Sequence, residues 1–238
     1  MAWHCSGSTN SELISNLYKN KLITSPLVRD AMIKVDRAHF CPSPENAYED
    51  SPQSIGYSAT ISAPHMHASA AESLLPYLVR PGCRVLDIGS GSGYLTAVFA
   101  ELVSGNGNAK VVGLEHIQAL RDMGERNLGK SERGKEFLRD GRVSFVVGDG
   151  RKGWISRDEE GGGEREKGWD AIHVGAAAVE LHQELVDQLR SPGRIFIPVE
   201  DPNGGGQFIW VVDKDANGTV TKKKTYGVRY VPLTDAPR

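Results

Sequence analysis

Val85-Leu-Asp-Ile-Gly89-Ser-Gly91-Ser-Gly93-Tyr-Leu-Thr96 decides the fold. An apolar run to Ile88 passes through three glycines at alternate positions into a segment of helical length and spacing, 94–103. The run reads as a buried strand and the glycines as a tight strand-to-helix turn. In such a turn glycine permits φ > 0 and close backbone approach to a ligand, and the helix N-terminus offers unpaired N–H donors. A dinucleotide fingerprint wants Gly or Ala five residues after its first glycine, where this chain has Tyr94, so a pyrophosphate would be crowded and NAD is disfavoured.

Outward from this unit the same alternation continues. The runs 84–88, 110–114, 142–147, 169–174 and 194–199 read as buried strands, and 94–103, 118–128 and 179–189 as the helices between them. Repeated β-α units predict an α/β fold, a mainly parallel sheet with helices on both faces. The C-terminal runs 208–213, 219–225 and 228–231 have no helices between them and read as antiparallel additions. On the N-terminal side, Thr9-Asn-Ser-Glu12 has capping-box spacing ahead of Leu13, Ile14, Leu17, Tyr18 and Leu22. Ser25-Pro26 then caps a second helix through Leu27, Val28, Ala31, Met32 and Val35. A proline-rich connecting arm, 41–54, follows these two helical additions.

The strand ends carry the chemistry. Glu115 stands twenty-two residues beyond Gly93 at the end of the next strand, suited to accept hydrogen bonds from both ribose hydroxyls and to repel a 2′-phosphate. After the third strand, Asp149-Gly150 is placed to read an adenine edge. Alone, each signal is ordinary: a glycine turn, a solvated acid, an Asp-Gly turn. At successive strand ends of an open α/β sheet they specify adenosine with a tail that is not a phosphate.

Upstream, 51–67 concentrates small, hydroxyl and imidazole residues just before a helix, suiting a lid over the ligand. His65 and His67 invite a metal reading, but no acidic or Cys ligand nearby completes a site, so hydrogen bonding or packing is expected of them. Ser62-x-x-His65 lacks an orienting acid and a nucleophile elbow, which disfavours a serine hydrolase. Lys plus Arg number 28 against 30 Asp plus Glu, so the charge balance makes no case for a nucleic-acid partner. No apolar stretch approaches the roughly 20 residues that span a bilayer, and the N-terminus has no signal-peptide core. Cys5, Cys41 and Cys83 are scattered and odd in number, as reduced thiols of a cytoplasmic protein would be. The Gly- and Glu-rich stretch 157–167 reads as a mobile surface loop.

On these residues the chain resembles the protein-L-isoaspartate (D-aspartate) O-methyltransferases, in particular eukaryotic cytosolic members, from about Ser11 to Asp235. The resemblance is carried by Ala59-Thr-Ile-Ser-Ala-Pro-His-Met-His-Ala68, by the glycine loop 86–96, by Gly148-Asp-Gly-Arg-Lys-Gly153, by 169–178 and by Tyr230-Val-Pro-Leu-Thr-Asp235. The glycine loop marks only the broad adenosylmethionine-dependent class, whereas the first and last blocks are specific to the family. Departures are Ser58, where relatives tend to carry Gln, a longer 157–167 loop, and Ser191-Pro-Gly193 in place of a Lys/Pro/Gly turn.

The resemblance implies a Rossmann-like class I methyltransferase in one domain, with 1–80 as helices and lid, 81–200 as core and 201–238 as C-terminal strands. It implies S-adenosyl-L-methionine as cofactor, S-adenosyl-L-homocysteine as product and no metal. The implied reaction is methylation of the free α-carboxylate of isoaspartyl residues in damaged proteins and peptides, with D-aspartyl β-carboxylates an open second class. The ester then cyclises to a succinimide that hydrolyses in part to normal aspartate, which is protein repair. Ser62 takes the active-site role, and the cofactor contacts implied are Ala59, Thr60, Ile61, Ser62, His67, Asp87, Gly89, Ser90, Gly91, Glu115, His116, Asp149, Gly150 and Thr234. A cytoplasmic monomer that engages neither nucleic acid nor membrane is expected. A methyltransferase with a different acceptor, and an adaptor that binds modified peptides without turnover, remain as alternatives.

Overall fold

The computed structural model describes residues 5–155 and 168–235. The stretch read as a mobile loop, 157–167, lies outside them. Two N-terminal helices come first, α1 (Asn10–Lys19) and α2 (Pro26–Lys34). Thr9 caps α1 by accepting from the Glu12 amide at 3.1 Å, an interaction whose loss costs about 1 kcal/mol. The capping box is shifted, because Glu12 reaches back to the amide and hydroxyl of Ser8 rather than to Thr9. Leu22, expected on the α1 face, falls beyond the helix end and is exposed, as is Leu27 on α2.

The proline-rich arm forms 3-10 turns at Arg37–His39 and Pro44–Asn46 before entering a hairpin, β1 (Gln53–Gly56) and β2 (Ala59–Ile61). Helix α3 (Pro64–Leu78) leads from the hairpin into the core. There follow β3 (Arg84–Ile88), α4 (Tyr94–Leu102), β4 (Lys110–Glu115), α5 (Gln118–Leu128), α6 (Glu132–Arg139), β5 (Val143–Val147), β6 (Trp169–Val174), α7 (Gln183–Asp187), β7 (Leu189–Glu200), β8 (Gln207–Lys214) and β9 (Val220–Val228).

Seven strands form one sheet in the order β5-β4-β3-β6-β7-β8-β9. The pairs from β5 through β7 are parallel, and β7-β8 and β8-β9 are antiparallel. Strand order reverses between β3 and its neighbours β4 and β6, which opens a cleft at their carboxyl ends. Side-chain alternation separates two cores. Val85, Val111, Ala171 and Phe196 face the layer of α1–α5, while Leu86, Ile88, Ile172, Ile195 and Ile197 face Trp169 and the α7 residues Leu185 and Val186.

Three expectations are corrected. The predicted helix 179–189 shrinks to α7, because Ala178 bridges Val199 and β7 already starts at Leu189, pairing with Trp169. The two predicted strands 219–225 and 228–231 are one strand, β9, after which the chain leaves the sheet and only Pro232 bridges back, to Ala177. Helix α6 was not anticipated: it is eight residues long, and Phe137 and Leu138 are its apolar side chains among charged residues and Gly134, a short and highly polar run.

Gly93 caps α4 with φ +84°, and a Cβ there would sit 2.9 Å from Gly124 Cα. Two glycines therefore let α5 pack directly on the glycine loop. That contact aims the N-terminal end of α4 into the cleft.

Candidate active site

At the carboxyl ends of β3, β4 and β6 lies a cavity of about 290 Å³, bordered by the glycine loop, Glu115 and the segment 231–235. Two recesses open from it. One, of about 30 Å³, contains Ser62, His67, Asp87 and Ser90 and shares Thr60, Gly89, Gly91 and Gly175 with the main cavity. The other contains Asp149 and Arg151 and shares His116, Gly148, Thr234 and Asp235. Every residue proposed from sequence thus borders one of three connected spaces. Ala59, Thr60, Gly89, Gly91, Glu115, His116, Gly150 and Thr234 line the main cavity, Ile61, Ser62, His67, Asp87 and Ser90 the first recess, and Asp149 the second.

Glu115 is buried at the end of β4, its carboxylate held by three amides: Gly91 at 3.0 Å on Oε2, and His116 at 2.8 Å and Ile117 at 3.2 Å on Oε1. Three N–H donors aimed at one carboxylate fix its direction. Asp87 is committed elsewhere, its Oδ1 facing His173 Nδ1 at 2.8 Å and its Oδ2 accepting from the Thr96 hydroxyl at 2.5 Å.

Asp149 is less free than an adenine reader would be. Both its oxygens accept from the Arg151 guanidinium, at 2.9 and 2.8 Å, which holds its carboxyl below the usual carboxylate range. Arg151 also pairs with Asp235. In the same recess His116 Nδ1 meets the Thr234 carbonyl at 2.9 Å, and beyond β6 Leu233 and Val231 bond to Ala177. The segment 231–235 is therefore a strap fastened at both edges of the cavity.

At the cavity rim Tyr57 and Ser58 turn the β1–β2 hairpin with φ of 53° and 56°, a left-handed conformation that non-glycine residues enter only under strain. Tyr57 is exposed. The two lid histidines diverge. His65 Nδ1 pairs with Asp50 at 2.8 Å, while His67 is buried with Nδ1 3.4 Å from Arg37. Burial, then the Arg37 cation, depress the His67 pKa well below the usual imidazole value, so it is neutral.

Sequence reasoning missed Arg37, Tyr94 and His173 as members of the first recess or its wall, and Leu114, Ile117 and Leu120 as apolar walls of the main cavity. His173 had a signal, since it lies one residue before the end of the strand that parallel pairing sets beside β3. Arg37 had none.

The donor set fits an adenosine carrying a cationic tail. The lining of the main cavity includes two carboxylates, Glu115 and Asp235, and neither Lys nor Arg, so it has no counter-charge for phosphates. Ser90 Oγ and Tyr94 Oη, both bordering the first recess, are buried without hydrogen-bond partners among the described residues, as polar atoms awaiting a ligand would be.

A family model described as protein-L-isoaspartate(D-aspartate) O-methyltransferase (PCMT) matches residues 8–238. A protein-L-isoaspartate O-methyltransferase of Caenorhabditis elegans is 46% identical, with 98% of this chain and 96% of the relative covered. Protein-L-isoaspartate O-methyltransferase 1 of Arabidopsis thaliana is 45% identical over 94% of this chain and 91% of its own length. Among solved structures, one from Plasmodium falciparum, described as a protein-L-isoaspartate O-methyltransferase in complex with S-adenosyl-L-homocysteine, superposes with a TM-score of 0.84 at 32% identity, covering 96% and 99% of the two chains.

Proposed function

The chain belongs to the protein-L-isoaspartate(D-aspartate) O-methyltransferase family, and on that premise we propose how its own residues perform the family's methyl transfer. The donor is S-adenosyl-L-methionine, held in the main cavity, and the acceptor is the free α-carboxylate of an isoaspartyl residue in a damaged protein or peptide. The observation that carries this reading is the continuity of two spaces of different character. A cavity anchored by Glu115, with neither Lys nor Arg in its lining, adjoins the small polar recess that contains Ser62, the two sharing Thr60, Gly89, Gly91 and Gly175.

When bound, the sulfonium of the cofactor supplies a methyl carbon already activated for displacement. A carboxylate is already a nucleophile, so the protein need not remove a proton. Its task is to align oxygen, carbon and sulfur and to keep water out. Glu115 accepts from the ribose hydroxyls with the lone pairs its three amides leave. Gly148, Gly150 and the strap enclose the adenine, with Gly150 kept bare because a Cβ there would run into Ile88. Gly89, Gly91 and Ser90 flank the amino-acid end. Ser62, at the mouth of its recess, orients the attacking carboxylate through its hydroxyl.

Discrimination is geometric: an isoaspartyl link adds a methylene to the main chain and places the carboxylate on the α carbon, so a narrow recess rejects the ordinary side chain. D-Aspartyl β-carboxylates, which the family description also names, form the second acceptor class we propose. We take the chain to act as one domain, as a cytoplasmic monomer, on flexible peptide segments rather than on nucleic acid or membranes. In support, no helix among the described residues is long and apolar enough to cross a membrane, and Cys5, Cys41 and Cys83 are free thiols.

The test is transfer of labelled methyl from S-adenosylmethionine to a flexible isoaspartyl peptide beside the same peptide with normal aspartate. Labelling confined to the isoaspartyl form is expected. Equal labelling would point to another carboxyl methyltransferase, and cofactor binding without labelling to an adaptor.

A further inference from the structure

Arg37 sits on the 3-10 turn after α2 and is fully buried. Its Nη2 donates to the Ser62 carbonyl at 2.9 Å, its Nη1 lies 3.4 Å from His67 Nδ1, and its guanidinium carbon stands 5.3 Å from the centroid of the Tyr94 ring. Nε is buried with no partner. Among the described residues no carboxylate comes within ion-pair distance of this guanidinium; Asp50 acts on it only at longer range. A buried cation without a counter-ion is costly to hold.

The contact with His67 settles a chemical detail. A guanidinium can only donate, so the Nδ1 it approaches must carry a lone pair and the single proton of the neutral ring must be on Nε2. That Nε2 has no hydrogen-bond partner among the described residues, and the ring borders the recess shared with Ser62. An N–H donor, a hydroxyl that also hydrogen-bonds Tyr230 and a buried positive charge next to both therefore meet around one small space. A carboxylate oxygen is the ligand atom that satisfies all three. Asp87, which also borders the recess, is already paired with His173 and Thr96, whereas no described carboxylate pairs with Arg37.

We propose that Arg37 is the positioning residue for the acceptor carboxylate: by holding the Ser62 carbonyl and the His67 Nδ1 lone pair on one guanidinium, it aims the Ser62 hydroxyl and the His67 Nε2–H at one oxygen of the incoming isoaspartyl α-carboxylate and leaves the other free to attack. The proposal rests on the methyl-transfer reading above and adds to it the group that recognises the acceptor.

Two measurements test it. In wild-type protein with bound S-adenosylhomocysteine, the 15N spectrum of His67, assigned with His67→Gln, should show the neutral ring protonated on Nε2. A ring protonated on Nδ1 overturns the proposal. In Arg37→Lys and Arg37→Gln, KM for an isoaspartyl peptide should rise by about tenfold or more while the dissociation constant for S-adenosylhomocysteine stays within about twofold. An unchanged peptide KM, or an equal loss of cofactor affinity, overturns it, the latter by reassigning the recess to the cofactor's own carboxylate. Should neither variant fold, the wild-type tautomer decides. Failure of the methyl-transfer reading itself would be seen first, as wild-type protein that labels no isoaspartyl peptide, and would take this proposal with it.

Discussion

Glu115 Oε2 accepts from the Gly91 amide at 3.0 Å, so the acid that ends β4 is tied to the glycine loop that follows β3. One carboxylate thereby sets the shape of the loop and faces the cavity, and its removal should be felt twice. Glu115→Ala is expected to weaken S-adenosylhomocysteine by about 10- to 100-fold, the worth of charge-assisted hydrogen bonds of about 1.5–3 kcal/mol. Calorimetric titration checks this, and unchanged affinity would remove Glu115 from the site.

Ser62 borders the recess rather than the main cavity, so its hydroxyl should matter more to turnover than to the cofactor. Ser62→Ala should lower kcat by about 10-fold or more with S-adenosylhomocysteine affinity within about threefold. Steady-state kinetics beside calorimetry would show it. Equal losses in both would recast Ser62 as a binding residue.

Asp87 and His173 form a buried pair, 1% and 5% exposed, with Oδ1 to Nδ1 at 2.8 Å. Taking away one member strands the other in a low-dielectric interior. His173→Ala is expected to destabilise the protein by about 3–5 kcal/mol, because a carboxylate loses its partner where water cannot replace it. Thr96→Val, which removes one hydrogen bond from the same carboxylate, should cost about 1–3 kcal/mol. Urea denaturation of both variants would rank them, and the reverse order would contradict the pairing.

Gly93→Ala tests the close approach of α5 to the loop. Its φ of +84° and the 2.9 Å distance to Gly124 Cα combine backbone strain with overpacking. A loss of about 2–4 kcal/mol is expected from those two terms. Ala tolerated at wild-type stability would mean that α5 can retreat without cost.

His67 gives stability a pH dependence of predictable sign. It is neutral when folded, its pKa depressed by burial and then by Arg37, with His173 and His65 acting in the same direction. The unfolded chain takes up the proton below about pH 6.5. Stability from this group is thus complete above that pH and is lost progressively on acidification toward the folded-state value. The free energy of unfolding of the wild type should fall between pH 7 and 5 more steeply than that of His67→Gln. Parallel curves would show that His67 protonates equally in both states.

What the sequence by itself determined was whatever one strand, one turn or one cap could express. Strands β3 and β6 and helix α5 lie at their expected residues because an apolar run and a 3.6-residue period are local properties. The glycine loop and Glu115 could likewise be assigned, since each occupies a strand end and the parallel fold puts strand ends together. Local pattern failed where it was thin or outvoted. Helix α6 is eight residues long and carries only Phe137 and Leu138 as apolar side chains, and the run after Val179 kept only Gln183–Asp187 as helix, between the Ala178–Val199 bridge and the start of β7 at Leu189.

The first recess was decided only by tertiary structure. Arg37, Ser62 and His67, Asp87 and Tyr94, and His173 come from four separate segments, and no spacing along the chain relates them. The parallel register of β3 and β6 sets Asp87 directly beside His173, 86 residues away. Burial then fixes their hydrogen bonding, because in a space that excludes water each polar group is defined by the neighbour that replaces its hydration, and that neighbour exists only once the chain has folded.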